Sequence, residues 1–116
     1  MSHSPQDFHK KLLGKQGEKL AEQYLKKQGY KLLKRNYTTP YGEADLVFLD
    51  GEEVVFVEVK TRTSADFATA KQAVNADKQA KYRKIALHYG KGVEPNARFD
   101  VVEVYPDEIV HIANAF

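Results

Sequence analysis

Along the first quarter of the chain the apolar positions recur with a helical period, and after that they gather into runs that suit strands. Ser4-Pro5-Gln6-Asp7 reads as a helix start, with a capping serine, proline in the first turn and an acid three residues on. From there Leu13, Leu20, Ala21, Tyr24 and Leu25 fall on one side, and Gly29 offers a C-cap, so a helix is expected as far as Gln28. Tyr30 to Tyr37 predicts a first strand. The stretch from Gly42 to Lys60 holds two Val-, Phe- and Leu-rich runs whose only polar break is Asp50-Gly51-Glu52-Glu53, the pattern of a tight β-hairpin. Thr61 to Thr69 is polar apart from its alanines and Phe67 and reads as a loop. Asn75 then caps a second helix that carries Asp77 in its first turn and reaches about Tyr89, with Tyr82, Ile85, Ala86 and Tyr89 facing inward. Ala97 to Tyr105 predicts a fourth strand and Ile109 to Ile112 a short fifth. The order α-β-β-β-α-β implies an α/β fold in one domain over residues 1–116, a mixed sheet flanked by helices.

The hairpin fixes which side chains meet. With Gly51-Glu52 as a two-residue loop, Asp50 faces Glu53, Asp45 falls opposite Glu58, and Glu43 falls opposite Lys60. Side chains alternate with period two, so these four polar residues share a face with Val47, Leu49, Val54 and Phe56, while Leu46, Phe48, Val55, Val57 and Val59 form the other. Two apolar faces predict strands covered on both sides. A three-residue loop would instead separate Asp45 from Glu58. Directly opposed residues have Cβ atoms roughly 4.5–5.5 Å apart, so two carboxylates there require a proton, a cationic neighbour or a metal. Lys60 supplies one positive charge. A divalent cation supplies two, and Mg²⁺ takes one or two carboxylates while keeping its other positions for water and phosphate. A cross-strand salt-bridge cluster on a solvated face is the ordinary alternative, and the apolar company of Val47, Leu49, Val54 and Phe56 argues against it.

Composition narrows the class. With 42% hydrophobic residues and four prolines in 116 residues, the chain has the makings of one packed core and no disordered tract. No apolar run approaches the ~20 residues of a membrane span, and the first residues lack the apolar stretch of a signal peptide, so a soluble cytoplasmic protein is expected. The absence of cysteine excludes disulfides, thiolate metal sites and a cysteine nucleophile. Net charge is only +2, yet residues 1–35 carry nine Lys/Arg against three acids, while the remainder carries nine against thirteen. A basic first third beside an acidic sheet centre suits a polyanion, with Lys10, Lys11, Lys15 and Lys19 on the first helix and Lys78, Lys81 and Lys84 on the second as candidate contacts. A solvated helix face is the plainer reading of such lysines.

Glu18 lies only ~20° in projection from Leu25, at the edge of the buried stripe, and Gly14 and Gly17 beside it suggest close backbone approach or a break. The four histidines show no ligand spacing. There is neither a G-x-x-x-x-G-K-S/T phosphate loop nor a G-x-S-x-G elbow. Asp100, in the block Arg98-Phe99-Asp100, reads as structural.

Asp45 followed by Glu58-Val59-Lys60 resembles the D…E-x-K core of the PD-(D/E)XK, restriction-endonuclease-like, nuclease superfamily. More narrowly, Gly17-Glu18, Ala21-Glu22, Tyr24-Leu25, Gly29-Tyr30, Arg35-Asn36-Tyr37, Gly42-Glu43-Ala44-Asp45-Leu46, Val55 to Arg62 and Arg98-Phe99-Asp100-Val101-Val102 resemble the bacterial YraN-like family, which is similar to archaeal Holliday-junction resolvases. Ala44 stands where the superfamily loosely keeps a proline. The resemblance spans roughly Gly14 to Val104. It implies a Mg²⁺- or Mn²⁺-dependent endonuclease acting on DNA, branched or junction DNA included, and a homodimer. Asp45 and Glu58 would bind the metal, with the Val59 carbonyl and Glu18 as further ligands. Lys60 would orient or deprotonate the attacking water, Glu43 would serve as an auxiliary group, and Arg62 would join the lysines on DNA. The alternative from another class is a nucleic-acid-binding protein on the same fold that does not cleave, or cleaves only with a partner.

Overall fold

The computed structural model describes residues 5–62 and 76–115, with side chains described from 14 to 62 and from 77 to 115. The Ser4 and Asn75 caps, nearly all of the 61–69 loop, and the side chains of Lys10, Lys11 and Leu13 lie outside these residues. The elements are α1 (Pro5–Lys27), β1 (Lys31–Thr39), β2 (Gly42–Asp50), β3 (Glu53–Thr61), α2 (Ala76–Tyr89), β4 (Ala97–Val104) and β5 (Ile109–Ile112). They form an α/β arrangement around one mixed five-stranded sheet in the order β1-β2-β3-β4-β5. Only β3 and β4 run parallel, and α2 belongs to the crossover between them.

The hairpin has the expected register: Asp50 pairs with Glu53, Leu49 with Val54, Phe48 with Val55, Val47 with Phe56 and Leu46 with Val57. Gly51 takes a positive φ of 62°, as the first position of a two-residue hairpin loop of type II′ requires. α1 ends where Gly29 adopts φ 94°, and the Gly29 and Tyr30 amides donate to the Lys26 and Leu25 carbonyls in a Schellman cap.

Both sheet faces are covered. Ala21 and Leu25 of α1 pack on Leu46, Phe48, Val55, Val57, Val102 and Val104, while Tyr82, Ile85 and Ala86 of α2 pack on Ala44, Val47 and Phe56. This explains why β2 and β3 are apolar on both sides. At Gly17 α1 lies close against the sheet, since a Cβ there would overlap the Thr61 hydroxyl; Gly14 has open space around it. The close approach expected of both glycines therefore belongs to Gly17 alone. Outside this contact, Arg35 of β1 holds Glu22 of α1 through two hydrogen bonds of 2.6 and 2.9 Å, and Lys26 adds a third at 3.0 Å. The Arg35 bond is the main reason that the Glu22 carboxyl is held down at about 2.

At the turn end of the hairpin, Arg98 of β4 reaches Asp50 and Glu53, each at 2.9 Å, the Tyr30 hydroxyl at 2.6 Å, and Asp100. Asp100 is fully buried. It also takes His111 Nε2 at 2.7 Å and the Asn114 amide at 2.9 Å. These contacts suit the structural part that its sequence position suggested. Among the described residues, no helix is long and apolar enough to cross a membrane.

Candidate functional site

At its far end the hairpin stops following the simple alternation. The β2–β3 ladder ends at Leu46↔Val57, although Asp45 and Glu58 are next in the same register. Continued pairing would set Ala44 against Val59, but the Val59 amide donates instead to Asp45 Oδ2 at 2.8 Å. On the other side of β2, Asn36 of β1 adopts a left-handed φ of 50° in the gap between the pairs Arg35↔Leu46 and Tyr37↔Ala44. Asp45 thus occupies a local opening between strands, where its side chain replaces a main-chain acceptor.

The hairpin departs from the expected geometry at two points. Ala44 joins Val47 and Phe56 in the cluster under α2, so period-two alternation slips between Ala44 and Leu46. Glu43 is exposed and pairs with Thr38 of β1, and the Lys60 ammonium goes to Glu58 Oε1 at 2.9 Å rather than across to Glu43.

The opening gathers charge from four elements, β2, β3, α2 and α1. Asp45 is half-buried, and its carboxyl is raised chiefly by burial and further by Glu58 and Glu43, against the Val59 hydrogen bond and Lys60. Glu58 behaves oppositely. Burial is the largest single influence and pushes it up, but the Lys60 ammonium, Lys78 at 3.7 Å and the Tyr82 hydroxyl together outweigh burial and hold it below the ordinary value. Tyr82 is itself raised well above the usual phenol, by burial first and then by Glu58. Across the opening, Glu18 of α1 is raised by burial and by its proximity to Asp45 and Glu43, with Lys15 opposing. Lys15, Glu18 and Lys19 line a shallow hollow of about 260 Å³ with Arg35, Asn36 and Leu46.

The fold therefore brings Asp45, Glu58, Lys60 and Glu18 into one neighbourhood with Glu43 at its rim. Lys15 and Lys19 lie beside it, and Lys78 stands on the opposite helix. Lys81 crosses over Gly42, where a Cβ would meet its Cε. Arg62 is turned toward Glu103, with its Nε 3.5 Å from a carboxylate that is almost fully buried. Tyr82 is the member that sequence reasoning assigned only to the core. The available signal was its hydroxyl, because a tyrosine on an inward helix face needs a polar partner.

The donors suited to a hard divalent cation are the Asp45 and Glu58 carboxylates and the Val59 carbonyl. Among the described residues, no three His, Asp or Glu side chains gather as they would around an ion held by protein side chains alone. Two carboxylates match the requirement of Mg²⁺, which retains several waters and substrate oxygens. Burial first, and then Glu58 and Glu43, disfavour the ionised form of Asp45, and a cation there would favour it.

Residues 17–104 match the model of the uncharacterised protein family UPF0102. A UPF0102 protein of Thermodesulfovibrio yellowstonii is 45% identical, the alignment covering 90% of this chain and 95% of the relative. One from Caldanaerobacter subterraneus subsp. tengcongensis is 46% identical over 93% and 97%, and one from Geobacter metallireducens 43% over 94% and 95%. At that identity over nearly the full length of both chains, with the motif blocks inside the matched span, the chain belongs to the UPF0102 family.

Proposed function

We propose that this protein is a Mg²⁺- or Mn²⁺-dependent endonuclease that hydrolyses DNA phosphodiester bonds, branched DNA included. The observation that carries the proposal is the strand opening at Asp45, which sets a half-buried carboxylate beside Glu58 and Lys60 at the carboxyl end of β3. Crevices at the carboxyl ends of strands in open α/β sheets are the usual ligand sites. Asp45, Glu58 and the Val59 carbonyl would hold the ion, and Glu18 would join directly or through water. The bound metal supplies a Lewis acid that neutralises charge developing on phosphate and makes water more acidic. Lys60, whose ammonium lies 2.9 Å from Glu58 Oε1, would orient the attacking water and stabilise the charge of the transition state. Tyr82 and Lys78 fix the Glu58 carboxylate. Lys15, Lys19, Lys78 and Lys81 contact the DNA backbone, and the resemblance to junction resolvases favours a homodimer.

A non-cleaving nucleic-acid-binding protein is the second reading. The observation in its favour is that Lys60, Lys78 and Tyr82 already satisfy Glu58. Incubation with single-stranded, duplex, flap and four-way DNA under Mg²⁺ or Mn²⁺ separates the two. Cleavage of any substrate is expected, and Glu58→Ala and Lys60→Ala should each abolish it while DNA binding persists. Cutting by Glu58→Ala at the wild-type rate would sink the assignment.

A further inference from the structure

One face of α2 continues away from the carboxylates toward a second cluster of different composition. Lys78 lies at Glu58, Lys81 crosses Gly42, the Lys84 ammonium stands 5.9 Å from the centre of the Tyr41 ring, and His88 packs against both Tyr41 and Tyr37. These positions are spaced by three or four residues and so follow one helical face. The helix ends in another Schellman cap, in which the Lys91 and Gly92 amides donate to the His88 and Leu87 carbonyls. Its left-handed position is occupied by Lys91, φ 54°, where glycine would be unstrained. Lys91 lines a cleft of about 660 Å³ with Lys34, Tyr37, His88, Tyr89 and Gly92. A smaller hollow sharing His88 and Gly92 is walled by Tyr41, Lys84 and Leu87.

Tyr41 and His88 are exposed, while Tyr37 is partly buried against the cluster under α2. Tyr41 is 48% exposed at the tip of the β1–β2 turn, yet the turn is pinned, because Thr39 Oγ1 donates to the Gly42 carbonyl at 2.8 Å and accepts the Tyr41 amide at 3.1 Å. A fixed exposed tyrosine, a second tyrosine and a histidine beside it, and three surrounding lysines combine flat stacking faces with backbone-neutralising charge. Non-specific single-strand binding uses that combination, since every base has a π-face and every nucleotide a phosphate. From Lys78 to His88 the helix rises about 15 Å.

We infer that the two adjoining hollows that share His88, one lined by Tyr37, Lys34 and Lys91 and the other by Tyr41 and Lys84, form a binding site for unpaired DNA, and that α2 guides a single-stranded arm between it and the carboxylate site. The inference rests on the nuclease reading for its substrate class, and it narrows that class to DNA with an unpaired segment. The test is a binding measurement without cleavage. Fluorescence anisotropy of the whole chain in EDTA would use a labelled thymidine oligonucleotide of about ten nucleotides, an abasic strand of equal length and a blunt duplex. The thymidine strand should bind more tightly than the abasic one. Tyr41→Ala should erase that difference, weakening thymidine binding roughly 5- to 100-fold and leaving the abasic strand unchanged. Lys91→Gly, which relieves the left-handed strain, should raise the melting temperature and still weaken the binding of both single strands. Equal binding of thymidine and abasic strands by the wild type, or an unchanged affinity in Tyr41→Ala, overturns the site even where the protein cleaves DNA. A protein that cuts nothing but loses strand binding on Tyr41→Ala keeps the site and loses the nuclease reading.

Discussion

Asp45 carries opposite demands from folding and from the proposed chemistry. Its folded carboxyl is raised, with burial as the main cause, so the protonated form is favoured in the native state. A raised acid contributes stability that is present below its unfolded value of 3.8 and is lost as pH rises through the folded value; at neutral pH the ionised group is a cost. Asp45→Asn keeps an oxygen for the Val59 amide and removes the charge, so the variant should be at least as stable as wild type without metal. A divalent ion that binds only the folded wild type contributes RT ln(1 + [L]/Kd), about 1.4 kcal/mol at tenfold over Kd. That corresponds to a rise in melting temperature of several degrees, which Asp45→Asn should lack. Thermal melts of both proteins with and without Mg²⁺ or Mn²⁺ check this. If Asp45→Asn costs more than ~2 kcal/mol in the metal-free state, Asp45 is an ion-pair partner of Lys60 and not a ligand.

At the scale of elements, the two glycines of α1 separate helix propensity from packing. Both are interior to the helix, where alanine is favoured by ~1 kcal/mol. Gly14→Ala meets open space and should stabilise the protein by about that amount, whereas Gly17→Ala drives a methyl into Thr61 at the end of β3 and should destabilise it. Urea midpoints of the two variants should move in opposite directions, and equal stabilisation would mean that α1 does not press on β3 at Gly17. Gly17 was legible as a point of close approach, but Gly14 carried the same signal without the contact, because a glycine in sequence reports permission and not use. The hairpin was legible for a firmer reason: Gly51 chooses the turn, and the turn fixes the register. The opening at Asp45 was not legible, since it depends on Asn36 turning left-handed in a neighbouring strand and on a side chain displacing a main-chain acceptor. Lys78 and Tyr82 reach Glu58 only because α2 lies over β3, a contact between segments that no local period encodes.

Across the whole molecule, the two ends of the sheet hold their charges differently. At the turn end, Arg98 ties Asp50, Glu53, Asp100 and Tyr30 together, joining three strands to the segment after α1. Burial is the largest influence on Asp100 and pushes it up, yet His111, Arg98 and the Asn114 amide hold it below the ordinary carboxylate value. Its contribution to stability is therefore present above 3.8 and is lost as pH falls through the depressed folded value. Arg98→Met removes one of those counterweights from a fully buried carboxylate and should cost about 3–5 kcal/mol, with the acid-unfolding limb moving to higher pH. Arg98 pairs with Val55, three residues or roughly 10 Å along β3 from Glu58. Sites that far apart with no shared partner should act independently, so Arg98→Met combined with Asp45→Asn should give the sum of the single effects within ~0.5 kcal/mol. Urea unfolding followed by circular dichroism between pH 3 and 7 measures both the cost and the limb. A coupling larger than 1 kcal/mol would show that strain at the Asp45 opening is carried along the sheet by the Arg98 cluster, and that the two ends form one device.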